Sequence, residues 1–108
     1  MNRYLLIESR DPFESNDVEH FGMLACELAA AGNDGTMVLV QNGVLPARRG
    51  ARSDGLTTLS ASGVRVFADA FALRERGIAP DKLAAGVTAA GLGIVIDAMA
   101  SGAKTLWH

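Results

Sequence analysis

The chain has 108 residues, enough for one hydrophobic core and too few for two. Hydrophobic residues make up 49% and charged residues 20%, and 10 Lys plus Arg against 12 Asp plus Glu leave a net charge of -2, which gives no general attraction to nucleic acid or anionic membrane. A single cysteine, Cys26, excludes an intrachain disulfide and a multi-cysteine metal cluster.

In chain order, Tyr4-Leu5-Leu6-Ile7 up to Glu8 is a short apolar run, far below the length of a signal-peptide core or a spanning helix, so the expected location is the cytoplasm. It suits a buried strand ending in the loop Ser9-Arg10-Asp11-Pro12. Asn16 with Glu19 three residues on has the pattern of a capping box. From Val18 to Ala31 the spacing is helical: Val18, Phe21, Leu24, Ala25 and Leu28 form a stripe toward a sheet, while Met23, Cys26 and Ala30 form a second apolar patch on the opposite face. Gly32-Asn33-Asp34-Gly35 closes this helix, and Thr36-Met37-Val38-Leu39-Val40 is the clearest strand, apolar throughout as parallel strands covered on both sides are.

Residues 45 to 54 are the most polar and irregular stretch, read as an exposed loop carrying Arg48, Arg49 and Arg52. A short helix from Gly55 to Ala61 follows, capped by Ser53 or Asp54, then a strand Val64-Arg65-Val66-Phe67. Asp69 to Arg76 reads as a helix with Ala70, Leu73 and Phe71 turned inward, terminated by Gly77. Gly86-Val87-Thr88 suits a short strand. Residues 92–96 satisfy either helix or strand; a helix over Gly91 to Ser101 is preferred because it supplies the crossover to a last strand, Lys104-Thr105-Leu106-Trp107. The alternation predicts one domain over residues 1–108, a three-layer α/β/α sandwich with a mostly parallel five-stranded sheet.

Few residues carry chemistry. Cys26, mid-helix and away from strand ends, reads as a structural or interface residue before a catalytic one. Asn42-Gly43, just past the central strand, lies where open α/β sheets bind ligands or partners, and Arg48, Arg49 and Arg52 form the only basic cluster. No GxGxxG or GxxxxGK[ST] motif is present and His20 and His108 have no paired-ligand spacing, so no cofactor and no metal are expected. Arg65 has Asp69 within local reach, Arg74, Glu75 and Arg76 read as a charged helix surface, and Asp11 and Glu14 are a carboxylate pair without a partner base. Trp107 suits closing the core or anchoring an oligomer contact, with His108 a frayed end. Met23, Cys26, Ala30 and Trp107 are thus the expected subunit interface, and Asn42, Gly43, Arg48, Arg49 and Arg52 the expected partner-facing surface.

Leu5-Leu6-Ile7 with Arg10-Asp11-Pro12-Phe13, Val38-Leu39-Val40-Gln41-Asn42-Gly43-Val44, Val64-Arg65-Val66-Phe67-Ala68 leading to Arg76-Gly77, and the ending Leu106-Trp107 together resemble the DsrE/DsrF/DsrH-like superfamily of sulfur-relay proteins, closest to its DsrH or TusB branch. The resemblance implies a compact α/β fold that assembles as a homo-oligomer or with cysteine-bearing homologous subunits. It implies passage of a persulfide from an upstream sulfur-carrier protein, in tRNA 2-thiolation or in sulfur oxidation. In DsrE-type subunits the sulfur-carrying cysteine lies soon after the third strand; here that stretch is Phe67-Ala68-Asp69-Ala70-Phe71-Ala72. Some DsrH-type members have a cysteine early in helix one, a position matched here by Phe21, with Cys26 more than a turn later. The expectation is a relay subunit without a sulfur-carrying cysteine of its own. A sulfurtransferase using Cys26 as persulfide carrier and a small-ligand or RNA-binding module are the alternatives.

Overall fold

The computed structural model describes residues 2–51 and 54–108. Its two most apolar runs form neighbouring central strands, β1 (Arg3–Glu8) and β2 (Asp34–Leu39), joined by α1 (Asp17–Ala30). A 3-10 helix (Gln41–Ala47) and α2 (Asp54–Ala61) lead to β3 (Arg65–Asp69), followed directly by α3 (Ala70–Glu75). After β4 (Val87–Ala90) comes α4 (Gly93–Ala100), so residues 92–96 fall at a helix and not a strand, and β5 (Lys104–Trp107) ends the sheet. The strand order is β4-β3-β2-β1-β5, and every neighbouring pair is parallel.

The layering follows from this order. The chain steps in one direction from β1 to β4, then returns across the sheet to place β5 beside β1. Right-handed crossovers put helices on opposite faces when the direction of travel reverses. On one face, Leu6, Met37, Leu39 and Val66 pack with Ala25 of α1 and Leu56 and Leu59 of α2. On the other, Leu5, Ile7 and Val38 pack against Ile94, Val95 and Ala98 of α4. The result is the three-layer sandwich that the alternation of patterns predicts.

Several local expectations change. The Asn16 side chain makes no capping hydrogen bond. The reciprocal pattern falls earlier, in the turn before the helix, where the Asp11 N–H donates to Glu14 Oε1 at 2.8 Å and the Phe13 N–H to Asp11 Oδ1 at 3.3 Å. Asp34 and Gly35, expected in a turn, already pair with Arg3 and Tyr4 in the sheet. Within α1 it is Ala25 that is buried against the sheet, while Leu24 is exposed. Successive helix positions are separated by about 100°, so Cys26 turns sideways and packs half-buried against the core instead of facing outward with Met23 and Ala30. The same geometry corrects Phe71: with Ala72 and Leu73 buried, Phe71 points away and is 57% exposed.

The stretch expected as an exposed loop is largely tied down. Val44, Pro46 and Ala47 are buried in the 3-10 helix. Arg48 pairs in an antiparallel bridge with Leu83, the Ala84 N–H donates to the Ala47 carbonyl at 2.7 Å, and the Arg49 N–H donates to the Lys82 carbonyl at 2.8 Å. The expectations placed on Arg52 and Ser53 lie outside the described residues.

Candidate functional site

A groove of about 890 Å³ opens at the carboxyl ends of β1 and β2 and runs down between α1 and α2. Its floor is apolar, from Met37 and Leu39 of β2, Leu45 and Pro46 of the 3-10 helix, and Leu56 and Leu59 of α2. The α1 wall contributes Val18, Gly22, Met23 and Cys26. Cys26 therefore lines this groove, although its mid-helix position suggested a place remote from any ligand. Volumes of roughly 300–1,000 Å³ with mostly apolar walls are typical of small-molecule sites. The charged residues around the groove are Glu8, Asp11, Glu19, Glu27 and Asp54 against Arg10 and Arg48.

Two glycines, Gly22 and Gly55, line this groove. A Cβ built on Gly22 in α1 or on Gly55 in the first turn of α2 would meet no atom within 4 Å, and neither residue has positive φ. Neither packing nor backbone geometry demands glycine there, and a helix-interior glycine costs up to about 1 kcal/mol relative to alanine.

Gly43 illustrates the opposite case. It is buried, and a Cβ there would overlap the Glu8 carbonyl oxygen, so the glycine lets the end of β1 press against the 3-10 helix. Its neighbour Asn42 is held from the side, its Oδ1 accepting from Arg76 Nε and Nη2 at 3.2 and 2.9 Å while Arg76 Nη1 donates to the Ala72 carbonyl at 3.2 Å. Arg76 is thus a brace between the end of β2 and α3 and not merely surface charge. Arg65 pairs with Asp34, its Nη2 lying 3.2 Å from both carboxylate oxygens, and not with Asp69.

Asp69 is the last residue of β3 and is buried. Its Oδ2 accepts the Ala72 N–H at 3.1 Å and so caps α3. The carboxylate is committed to structure at the start of α3.

The other end of the sheet was misread most. His108 is not frayed: its Nδ1 lies 2.9 Å from both oxygens of the Glu8 carboxylate, its ring lies 5.5 Å from that of Phe21, and its carbonyl accepts from the Ser9 N–H and Oγ. Glu8, expected as the polar end of a strand, has a side chain only 4% exposed. An acidic residue ending a buried run and a histidine ending its neighbour were the available signals, but pairing them needs the strand order. Trp107 does not close the core. It is 67% exposed, with Nε1 3.4 Å from Ser9 Oγ.

Trp107 stands on the sheet face covered by α4, whose own outer side carries exposed Ile96 and Met99, with Leu92 just before it. No residue of α4 or β5 is fully buried. This apolar surface was not identified from the sequence, although the spacing of Leu92, Ile96 and Met99 contained it.

Among the described residues, no group of three or more His, Cys, Asp or Glu side chains is placed to hold a metal ion, and no helix is long and apolar enough to cross a membrane.

A parallel five-stranded sandwich with a groove at the strand ends defines the protein as a small single-sheet α/β protein. The chain belongs to the DsrE/DsrF-like family, which it matches over residues 3–107. Similar solved structures include MTH1491 from Methanobacterium thermoautotrophicum, a protein of unknown function, with TM-score 0.87, 23% identity and 100% of both chains covered. The ychN protein from E. coli has TM-score 0.89 and 22% identity over 100% of both chains. BT1422 from Bacteroides thetaiotaomicron, a conserved protein of unknown function, has TM-score 0.73 and 18% identity, covering 97% of this chain and 94% of its own. At these identities the likeness is one of fold. No curated protein matches the chain.

Proposed function

We propose that the protein is a subunit of an oligomeric sulfur-relay assembly that contributes binding surface and does not itself carry the sulfur. The observation that carries this reading is the apolar surface of Leu92, Ile96, Met99 and Trp107, from 52 to 67% exposed. An exposed apolar cluster on a small protein is the usual mark of a contact surface. The subunit contact therefore centres on α4 and β5, retaining Trp107 from the sequence expectation and moving away from Met23, Cys26 and Ala30. Arg48 and Arg49, both exposed, supply a second, partner-facing surface away from α4, with Arg48 at the groove between α1 and α2, and Asn42 and Gly43 support the backbone that presents them. The partner is a second copy or a cysteine-bearing homologue.

Two observations support leaving the sulfur to that homologue. The end of β3 holds the capping carboxylate of Asp69, and the stretch that follows it, Ala70-Phe71-Ala72, has no cysteine. Among the described residues, an anionic polysulfide entering the groove would meet five carboxylates against two guanidiniums.

One observation favours a second reading, in which Cys26 is a persulfide carrier: its side chain lines the groove and is not fully buried. A relay requires a thiolate that attacks an incoming sulfane sulfur. Rapid alkylation of Cys26 in the native protein, combined with loss of sulfur uptake in Cys26→Ser, would establish that reading over the first.

Sedimentation velocity at micromolar concentration tests the assembly. The expected result is a dimer or larger oligomer; a monomer of 11.3 kDa would contradict it.

A further inference from the structure

We infer that β5 pairs antiparallel with β5 of a second copy of this chain, across a two-fold axis at Leu106, so that two five-stranded sheets join into one. This rests on the reading of α4 and β5 as the subunit contact, and it names the occupant of that surface and the register. β5 is an edge strand whose neighbour in the sheet is β1. His108 turns both of its backbone groups toward β1, donating to the Ile7 carbonyl at 2.9 Å and accepting from the Ser9 N–H at 3.0 Å. Backbone direction alternates along a strand, so Lys104 and Leu106 also face β1, while Thr105 and Trp107 aim their N–H and C=O groups outward. All of β5 is exposed, and among the described residues no backbone group of another segment bonds to that outer edge. Edges are ordinarily guarded by proline, charge or a covering segment. Here there is no proline, and the one charged side chain, Lys104, is drawn aside with Nζ 5.8 Å from the centre of the Tyr4 ring.

This edge is complementary to itself. In an antiparallel pair, opposite residues that face each other exchange two hydrogen bonds. With the axis at Leu106, Thr105 of each copy lies opposite Trp107 of the other, and every outward N–H and C=O of the two residues is paired. Leu106 meets its own copy on the α1 face, where it lies beside Leu6 and is 36% exposed. On the opposite face α4 packs on Leu5, Ile7 and Val38, hence over β1 and β2. At about 4.8 Å per strand, two copies of α4 stand roughly 15–20 Å apart, beyond the about 8–10 Å of direct helix packing. Trp107 of both copies occupies the space between them. Leu92, Ile96 and Met99 are turned roughly 120° from the core-facing Ile94, Val95 and Ala98. In a right-handed crossover from β4 to β5 that turn is toward the β5 edge, so the two apolar stripes face each other over the tryptophans. An isolated peptide strand could use the same backbone groups, but it would bury far less than the about 800 Å² per partner of a standard interface. A second copy supplies the matching strand and the matching apolar stripe together.

The test has two arms. In a Cys26→Ser background, Leu106→Cys and Lys104→Cys are oxidised with diamide at micromolar concentration. Leu106→Cys places two thiols at the axis, in a non-hydrogen-bonded pair with Cα atoms about 4.5 Å apart, within the reach of a disulfide. The two copies of Lys104→Cys are four residues out of register, roughly 13 Å apart. Leu106→Cys is expected to form a disulfide dimer at least about tenfold faster. In the unmodified protein, hydrogen exchange by NMR is expected to show the Thr105 and Trp107 amides at least about tenfold slower than exposed amides of the same sequence, a readout that needs no variant to fold. Equal cross-linking of the two variants, or unprotected Thr105 and Trp107 amides, would overturn the inference. Protected amides without cross-linking at position 106 would also overturn it, by assigning the edge to another strand or register. Unprotected amides in a protein that sediments as an oligomer refute this pairing and leave the assembly reading intact, whereas a monomer in sedimentation refutes the assembly itself.

Discussion

Glu8 ends a strand of buried aliphatic residues, and its carboxylate is kept in that setting by hydrogen bonds from the Arg10 N–H and from His108. A buried carboxylate that loses a partner bears its desolvation without compensation, at about 1–3 kcal/mol. His108→Ala is therefore expected to destabilise the protein by that amount in urea unfolding, and an unchanged midpoint would show that the contact carries no stability. Gly43→Ala forces a methyl group into the Glu8 carbonyl; the strain of overpacking is about 1–3 kcal/mol, and the same measurement reads it. Gly22→Ala goes the other way, with a gain of about 0.5–1 kcal/mol from helix propensity. A loss at position 22 would mean that the glycine serves packing rather than open space. None of these three roles was visible in the residue types alone. Gly43 looks like an ordinary turn glycine and His108 like a loose end, because the partner of each is set by register between strands.

At the scale of elements, periodicity was a sufficient guide wherever one face of an element meets the core. β1, α1, β2, α2 and β5 all lie within a few residues of the positions that their apolar spacing indicates. It was insufficient where backbone pairing decides the outcome. The stretch after β2 is polar enough to suggest a loop, yet its backbone bonds to residues 82–84 bury Pro46 and Ala47. In α3 the Asp69 cap fixes where the helix begins. Asp69→Ala is expected to cost about 1 kcal/mol, the usual value of a lost N-cap, and thermal melts should show it. Among the described residues, α4 has two exposed large apolar side chains on its outer side, Ile96 and Met99, and Leu92 just before it. Ile96 is 66% exposed, so Ile96→Glu should leave the circular dichroism spectrum unchanged while reducing the sedimenting species to a monomer. Retention of the oligomer by this variant would place the contact elsewhere.

For the whole molecule, the sheet was legible from sequence because five apolar runs alternate with four helical patterns long enough to cross between parallel strands. The groove was not legible, since its walls come from residues far apart in the chain. Cys26, whose helical spacing suggests an outer face, lines it. Charge reversal at both Arg48 and Arg49 is expected to weaken association with a cysteine-bearing homologous subunit at least about tenfold, about 1.4 kcal/mol, in a titration monitored by light scattering. Equal affinity would remove these arginines from the partner surface.

Native mass spectrometry before and after incubation with polysulfide, with Cys26→Ser alongside, tests the central claim most directly. The expected result is an intact oligomer whose mass gains no sulfur in either protein. A monomer, or a sulfur-sized increment present in the unmodified chain and absent from Cys26→Ser, would contradict it.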